Sequence, residues 1–226
     1  MVSVIIAAGG RGTRMGAMIN KVYMQLCGRE VLSYTIEAFE KNSLTDEIIV
    51  VTGENEIELC KSMIAKYGFN KVSAVTVGGS SRRESVYNGI ALAVGDIIAI
   101  HDGARALISQ EEINAVIADC KKYGAAAVGV SIKDTLKSAD KNGFITGTVD
   151  REKTYSIHTP QVFMRDIIVN AHKKAYEENI EATDDCALVE SSVNIKITKG
   201  SYNNIKLTTP EDMIMAENIL REGKIK

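Results

Sequence analysis

Gly9, Gly10 and Gly12 lie within four residues of one another; Thr13 and Arg14 follow directly, and Lys21 comes seven residues after Arg14. Glycines at this density let backbone N–H groups close around a polyanion, with Ala8, Gly9, Gly10, Gly12 and Thr13 as the cradle. Arg14 and Lys21 add fixed positive charge to the same loop. The run is not a Walker loop, because no Gly-Lys-Ser/Thr follows, and Met15 stands where a dinucleotide fingerprint requires glycine. The bland alternative is a tight strand-to-helix turn. A second group, His101-Asp102-Gly103-Ala104-Arg105, follows the apolar run Ile97–Ile100. An acidic residue at the end of a buried strand could hold Mg²⁺, which takes one or two carboxylates and completes its shell with phosphate oxygens and water. Asp102 and Arg105 could equally form a structural ion pair. A third group, Gly78-Gly79-Ser80-Ser81-Arg82-Arg83-Glu84-Ser85, could bring its backbone to a flat base, or could be a helix cap with a solvated charge run. Lys206, after Asn204 and Ile205, is notable only for its company. His101 and His158 read as packed histidines, and His172 as helix surface.

The elements needed to position these groups follow from periodicity. Val2–Ala8, Glu47–Thr52, Val72–Val77, Ile97–His101 and Ala125–Val130 are short and apolar or β-branched, and are expected as strands. Val31–Lys41, Ile57–Lys66, Ser85–Val94 and the segment opening at Ser109 are expected as helices between them. Ser109 and Glu112 have capping-box spacing, and Thr209-Pro210-Glu211-Asp212 opens the last helix. A helix after Phe163, a Thr183-led helix and a strand at Val193–Thr198 complete the reading. Such alternation predicts an α/β fold with a mostly parallel sheet and helices on both faces. Ligands in such sheets bind at the carboxyl ends of strands, where strand order reverses; the loops after Ala8 and His101 qualify. Residues 133–155 break the pattern. They are polar and centre on Asn142–Gly143, a two-residue hairpin signal, and so read as a solvated excursion or a dimerisation arm.

Composition sets the outer limits. The 226 residues suit one domain, and 27 basic against 29 acidic side chains give a net charge of −2, which disfavours nucleic acid as a partner. No apolar run approaches the ~18 residues of a membrane helix. The four cysteines, Cys27, Cys60, Cys120 and Cys186, are widely spaced with no CxxC, which suits reduced thiols in a cytoplasmic protein.

The motifs AGGRGTRMG (8–16), NK (20–21), GGSSRRESVYNGI (78–90), HDGAR (101–105), KDTLK (133–137), VDR (149–151), TPQVF (159–163), TDDCALVE (183–190) and NIKLTTPEDM (204–213) occur in this order over the whole chain. The succession resembles the 2-C-methyl-D-erythritol 4-phosphate cytidylyltransferases of non-mevalonate isoprenoid biosynthesis. That resemblance implies a three-layer α/β/α Rossmann-like nucleotidyltransferase fold with a mixed sheet, a protruding β-arm and a homodimer. It implies that Arg14 and Lys21 bind the CTP triphosphate and that Gly78–Ser85 frames the cytosine, with Ser85 in contact. Asp102 is implied beside Mg²⁺ and the pentitol phosphate, followed by Arg105. Thr135 and Arg151 would reach the partner subunit's substrate site, which Thr159, Thr183 and Lys206 also line. Three positions depart from the pattern: Asn20 replaces the usual proline, Ala106 replaces another, and His158 stands where glutamine often precedes TPQ. A ribitol-5-phosphate cytidylyltransferase and a silent nucleotide-binding regulator are the competing readings.

Overall fold

The computed structural model describes residues 1–10 and 20–223. Among them, β1 (Val2–Ala7), β4 (Glu47–Thr52), β5 (Val72–Val77), β6 (Ile97–Asp102), β7 (Ala125–Ser131), β10 (Tyr155–Met164) and β11 (Lys196–Lys199) form a seven-stranded sheet in the order β11-β7-β10-β6-β1-β4-β5. The ladders β1–β4, β1–β6, β4–β5 and β11–β7 are parallel; only β10 runs against its neighbours, β6 and β7. From β1 the chain moves outward through β4 to β5, then returns to place β6 on the other side of β1. The strand order therefore reverses between β1 and β6, where the carboxyl ends open a crevice. Ala7 is paired with Asp102, which brings the glycine loop and the HDGAR segment to the same lip of the sheet.

Strand alternation sorts the core into layers. Val4 and Ile6 face one side with Ile48, Val50 and Ala99, and there pack on α1 (Val31–Glu40), α2 (Ile57–Tyr67) and α4 (Gln110–Tyr123) through Phe39, Met63 and Val116. Ile5, Ile49 and Ile100 face the other side with Phe163 and pack on α3 (Arg82–Leu92), α5 (Arg165–Glu177) and the short α6 (Cys186–Val189) through Ile90, Ile168 and Val189. The three-layer α/β/α arrangement is the one expected. α7 (Pro210–Arg221) closes a smaller cluster with Leu26, Val31, Leu107 and Leu207.

Some expectations need correction. β10 was not anticipated: Pro160 lies inside it, and proline argues against a strand interior, yet the strand is buried from His158 to Phe163. β11 starts at Lys196 rather than Val193, and α6 starts at Cys186 rather than Thr183. α3 starts three residues early, because the Ser81 side chain accepts from the Glu84 N–H and caps it. β2 (Gln25–Leu26) and β3 (Arg29–Glu30) form a tight hairpin, and Cys27 and Gly28 both have positive φ at its turn. In the arm, β8 (Lys137–Ala139) pairs with β9 (Ile145–Thr148). The connection is five residues, 140–144, rather than two: the Gly143 N–H donates to the Asp140 carbonyl, and Gly143 takes φ +86° after a turn through Lys141 and Asn142.

Both predicted caps form. Ser109 accepts from the Glu112 N–H while the Glu112 carboxylate accepts from the Ser109 N–H, and Thr209 and Asp212 repeat this at α7. Ser109→Ala should cost about 1 kcal/mol of stability, read as a shift in the urea midpoint at unchanged slope; an unmoved midpoint would mean the cap is dispensable.

Candidate active site

A cavity of about 580 Å³ opens at the β1/β6 reversal. Its walls are Ala8, Gly9 and Gly10 after β1, the Gly79–Arg82 turn at the head of α3, Asp102 at the end of β6, and Lys21 and Lys206. Gly12, Thr13 and Arg14, assigned to the phosphate loop from sequence, lie outside the described residues. Ala8 donates its N–H to Val51 O, which anchors the start of the loop to the neighbouring strand. Gly79 is glycine for a steric reason: a Cβ there would lie 2.2 Å from Cβ of Glu84. The turn around it is internally tied, with Ser80 N–H and Oγ on the Glu84 carboxylate, and Gly79 N–H on Ser85 Oγ, itself donating to Ser81 O. Gly78 lies behind this turn, donating its N–H to Thr52 O. Gly103 likewise sits behind the wall, bonded through its N–H to Ala7 O, with its own carbonyl accepting from Thr35 Oγ1.

Asp102 is the electrostatic centre. Its Oδ2 lies 2.8 Å from Lys206 Nζ and 3.6 Å from Arg105 Nε, and its Oδ1 lies 3.9 Å from Arg82 Nη2. Burial alone would raise this carboxyl, but Lys206, Arg82 and Arg105 outweigh burial and hold it down at about 2. The ion pair with Arg105 is thus real, and Arg105 is a buried strut whose guanidinium also donates to Asn204 O at 2.6 Å. Oδ1 is a hard oxygen turned toward cavity-lining Arg82 and has, among the described residues, no contact as short as that of Oδ2, which would suit one carboxylate contact to Mg²⁺. Among the described residues no cluster of three or more His, Cys, Asp or Glu side chains could bind a metal by itself. Any such ion would complete its shell with substrate oxygens and water.

The other sequence-derived positions fall into two sets. Thr159 is buried, its Oγ1 accepting from the Asp102 N–H at 3.0 Å and bonded to His101 Nδ1 at 3.0 Å; it fixes the end of β6 from behind the cavity wall. Thr135, Arg151 and Thr183 are exposed and do not line this cavity. His172 is a correction: its side chain is 0% exposed, stacked on Tyr87, with Nε2 3.6 Å from Asp185 Oδ1.

Two positions at this cavity escaped the sequence reading. Arg82 lines the cavity and forms a 2.7 Å ion pair with the buried Asp185. Gln161 puts Asp185 there: its Oε1 accepts from the N–H groups of Asp185 and Cys186, and its Nε2 donates to Asp184. The signal available was the shared order of TPQ and TDD, but nothing in either motif names the arginine they serve.

The Ala8–Gly10 backbone after the first strand, cations from separate elements and one ionised carboxylate at a strand-order reversal suit an α/β nucleotidyltransferase. Comparison with known proteins narrows that class. The sequence model for 2-C-methyl-D-erythritol 4-phosphate cytidylyltransferase matches residues 2–222. A curated relative of that name from Caldanaerobacter subterraneus subsp. tengcongensis is 48% identical over 225 residues, covering 98% of this chain and 99% of that one. Another from Clostridium novyi is 44% identical over 223 residues, covering 97% and 96%. The crystal structure of 4-diphosphocytidyl-2C-methyl-D-erythritol synthase from Anaerococcus prevotii superposes with a TM-score of 0.85 at 29% identity, covering 97% of this chain and 98% of that one. This chain belongs to the 2-C-methyl-D-erythritol 4-phosphate cytidylyltransferase family and is an enzyme. The ribitol phosphate alternative is not favoured by these relatives. No helix among the described residues is long and apolar enough to cross a membrane, and all four cysteines are unbridged.

Two buried histidines, His101 and His158, carry a pH signature. Burial holds His101 at about 4; burial, with the Arg105 charge, does the same to His158. Unfolded histidine titrates near ~6.5, so between those values the unfolded chain binds more protons and stability falls as pH drops. Asp102 extends the loss to lower pH, because its native value lies below that of the unfolded chain. His158→Gln should remove about one proton from the acid slope, roughly 1.4 kcal/mol per pH unit, in urea titrations between pH 6.5 and 4. An unchanged slope would show that His158 protonates in the folded state.

Proposed function

We propose that this enzyme transfers the cytidylyl group of CTP to 2-C-methyl-D-erythritol 4-phosphate, giving 4-diphosphocytidyl-2-C-methyl-D-erythritol and pyrophosphate, as a cytoplasmic step of non-mevalonate isoprenoid precursor synthesis. The observation that carries the reading is the cation set, Lys21, Arg82 and Lys206 with Asp102, around a cavity floored by the Ala8–Gly10 backbone. A phosphomonoester has its second pKa near ~6 and is largely dianionic at neutral pH. One of its oxygens attacks the α-phosphorus of CTP while the bond from that phosphorus to the bridging oxygen breaks and pyrophosphate leaves with the electron pair. No proton has to be removed, so the step needs no general base, and histidines held as low as His101 and His158 would be weak ones. Catalysis then rests on positioning and charge stabilisation.

Lys21 and Arg14 are assigned to the triphosphate and the charge developing on the α-phosphate, Gly78–Ser85 to the cytosine, and Lys206 with Asp102 to the attacking phosphate. Magnesium is the expected cofactor; Asp102 would hold it, and when bound it would neutralise phosphate oxygens. The arm is assigned to a homodimer in which Thr135 and Arg151 act in the partner's site. In support, β8 and β9 pair only with each other among the described residues, and Phe144 and Ile145 at the tip are 70% and 68% exposed.

Pyrophosphate release from CTP should proceed with 2-C-methyl-D-erythritol 4-phosphate and be far slower with ribitol 5-phosphate; the reverse preference would reassign the substrate. Lys206→Ala and Lys21→Ala should each lower turnover roughly 10²–10³-fold, the scale for one preorganised transition-state donor. Mixing Arg151→Ala with Lys21→Ala subunits should restore activity, since one site of the mixed dimer holds both native residues. A mixed dimer as inactive as its parents would place Arg151 in its own subunit's chemistry.

A further inference from the structure

Lys21 opens a short 3₁₀ turn, Lys21–Tyr23, and both flanks of that turn are tied to one carboxylate. On one side stands Asn20. Its Nδ2 donates to Ala8 O at 2.7 Å and to Glu56 Oε2 at 3.1 Å, and its Oδ1 accepts from the Val22 N–H at 3.4 Å. Two acceptors facing one end of the amide and a donor facing the other fix its orientation. On the far side, the buried Tyr23 hydroxyl lies 2.9 Å from Thr52 Oγ1, which donates to the same Glu56 Oε2 at 2.8 Å. Thr52 has a single hydroxyl proton and gives it to Glu56, so Tyr23 is the donor in its pair. Gly53 N–H adds a third bond to Glu56 Oε2 at 3.0 Å. The ring Asn20–Glu56–Thr52–Tyr23 therefore closes over the turn that carries Lys21, and Ala8 joins it to the end of β1. This is the position where the resemblance led to an expectation of proline, and Asn20 has φ −58°, within proline's range.

We propose that Asn20 and Glu56 form a clasp that positions Lys21, doing by hydrogen bonding what a proline at residue 20 would do by covalent constraint. Its consequence for turnover rests on the functional reading above. A positioning residue of this kind acts on kcat, because a loosened Lys21 loses most where charge develops. Asn20→Ala should lower kcat about tenfold while moving KM for CTP less than about threefold. Asn20→Pro, which deletes every side-chain bond but restricts φ, should recover most of that loss. Glu56→Ala should match Asn20→Ala, and the double variant should be no slower than the worse single one, since both break the same clasp. Glu56→Gln, which keeps an acceptor oxygen, should fall between parent and Glu56→Ala and guards against a misfolded alanine variant. Amide hydrogen exchange over residues 21–24 should quicken in Asn20→Ala and Glu56→Ala and return toward the parental rate in Asn20→Pro. The proposal is overturned if exchange is unchanged in Asn20→Ala, or if Asn20→Pro is as slow in turnover as Asn20→Ala. A parent enzyme inactive toward CTP and the pentitol phosphate would sink the functional reading alone, because exchange decides on the clasp without it.

Discussion

A single carboxylate at the end of a buried strand organises this molecule's working end. Burying Asp102 without counter-charge would be costly enough to neutralise it. Instead it stays ionised down to about 2 because Lys206, Arg82 and Arg105 converge on it. Each comes from a different place: Arg105 from the turn after β6, Arg82 from the first residue of α3, and Lys206 from the segment leading into α7. With Lys21 in its lining, the cavity carries more positive than negative charge among the described residues, in a chain whose net charge is −2. Asp102 is thus less a repellent to a polyanion than the reason its cations are gathered there.

That convergence depends on β10, the one strand running against the rest of the sheet. Thr159 hydroxyl accepts the Asp102 N–H and meets His101, so β10 pins the residue that carries the charge. Two residues further, Gln161 bonds the backbone at the start of α6 and sets Asp185 beside Arg82. Asn204, fully buried, donates its amide to Thr159 O and accepts the Arg105 guanidinium on its own carbonyl, which ties the approach to Lys206 into the same assembly. The cations are held by a second tier of polar side chains, so their spacing does not depend on substrate being present.

Local signals explain which parts could be read from sequence. β4 and β5 were expected with their observed bounds, and so were the Ser109 capping box and the Thr209 N-cap, because apolar runs and cap spacings act over a few residues. The glycine turns and Asp102 were legible for the same reason, since type and position at a strand end suffice, whereas Lys206 was singled out only by the motifs around it and the family resemblance. Arg82 was not, since its partner lies about a hundred residues away in chain order and neither residue is unusual where it stands. His172 was misread because Lys173 and Lys174 follow it, while the face it shares with Ala171 and Ala175 packs inward. β10 was missed because Pro160 contradicts a strand interior in any local scan, and only the register shift between Ile157 and Gln161 accommodates it.

Charge state completes the argument. Both histidines near the site are held at about 4 and Asp102 at about 2, so none of the three changes protonation near neutrality. Groups with values this low are weak proton acceptors near neutrality, and the reaction proposed for the site does not ask for a general base. The group that does titrate in that range is the substrate's own phosphomonoester, with its second ionisation near ~6. The nucleophile therefore arrives already deprotonated, and a buried base would add desolvation cost without lowering the barrier. What remains for the protein is to hold fixed cations around a pentavalent phosphorus. That requirement accounts for the hydrogen bonds and ion pairs behind the cations, with the Glu56 carboxylate tying the turn that carries Lys21, Asp185 holding Arg82 and Asp102 holding Lys206.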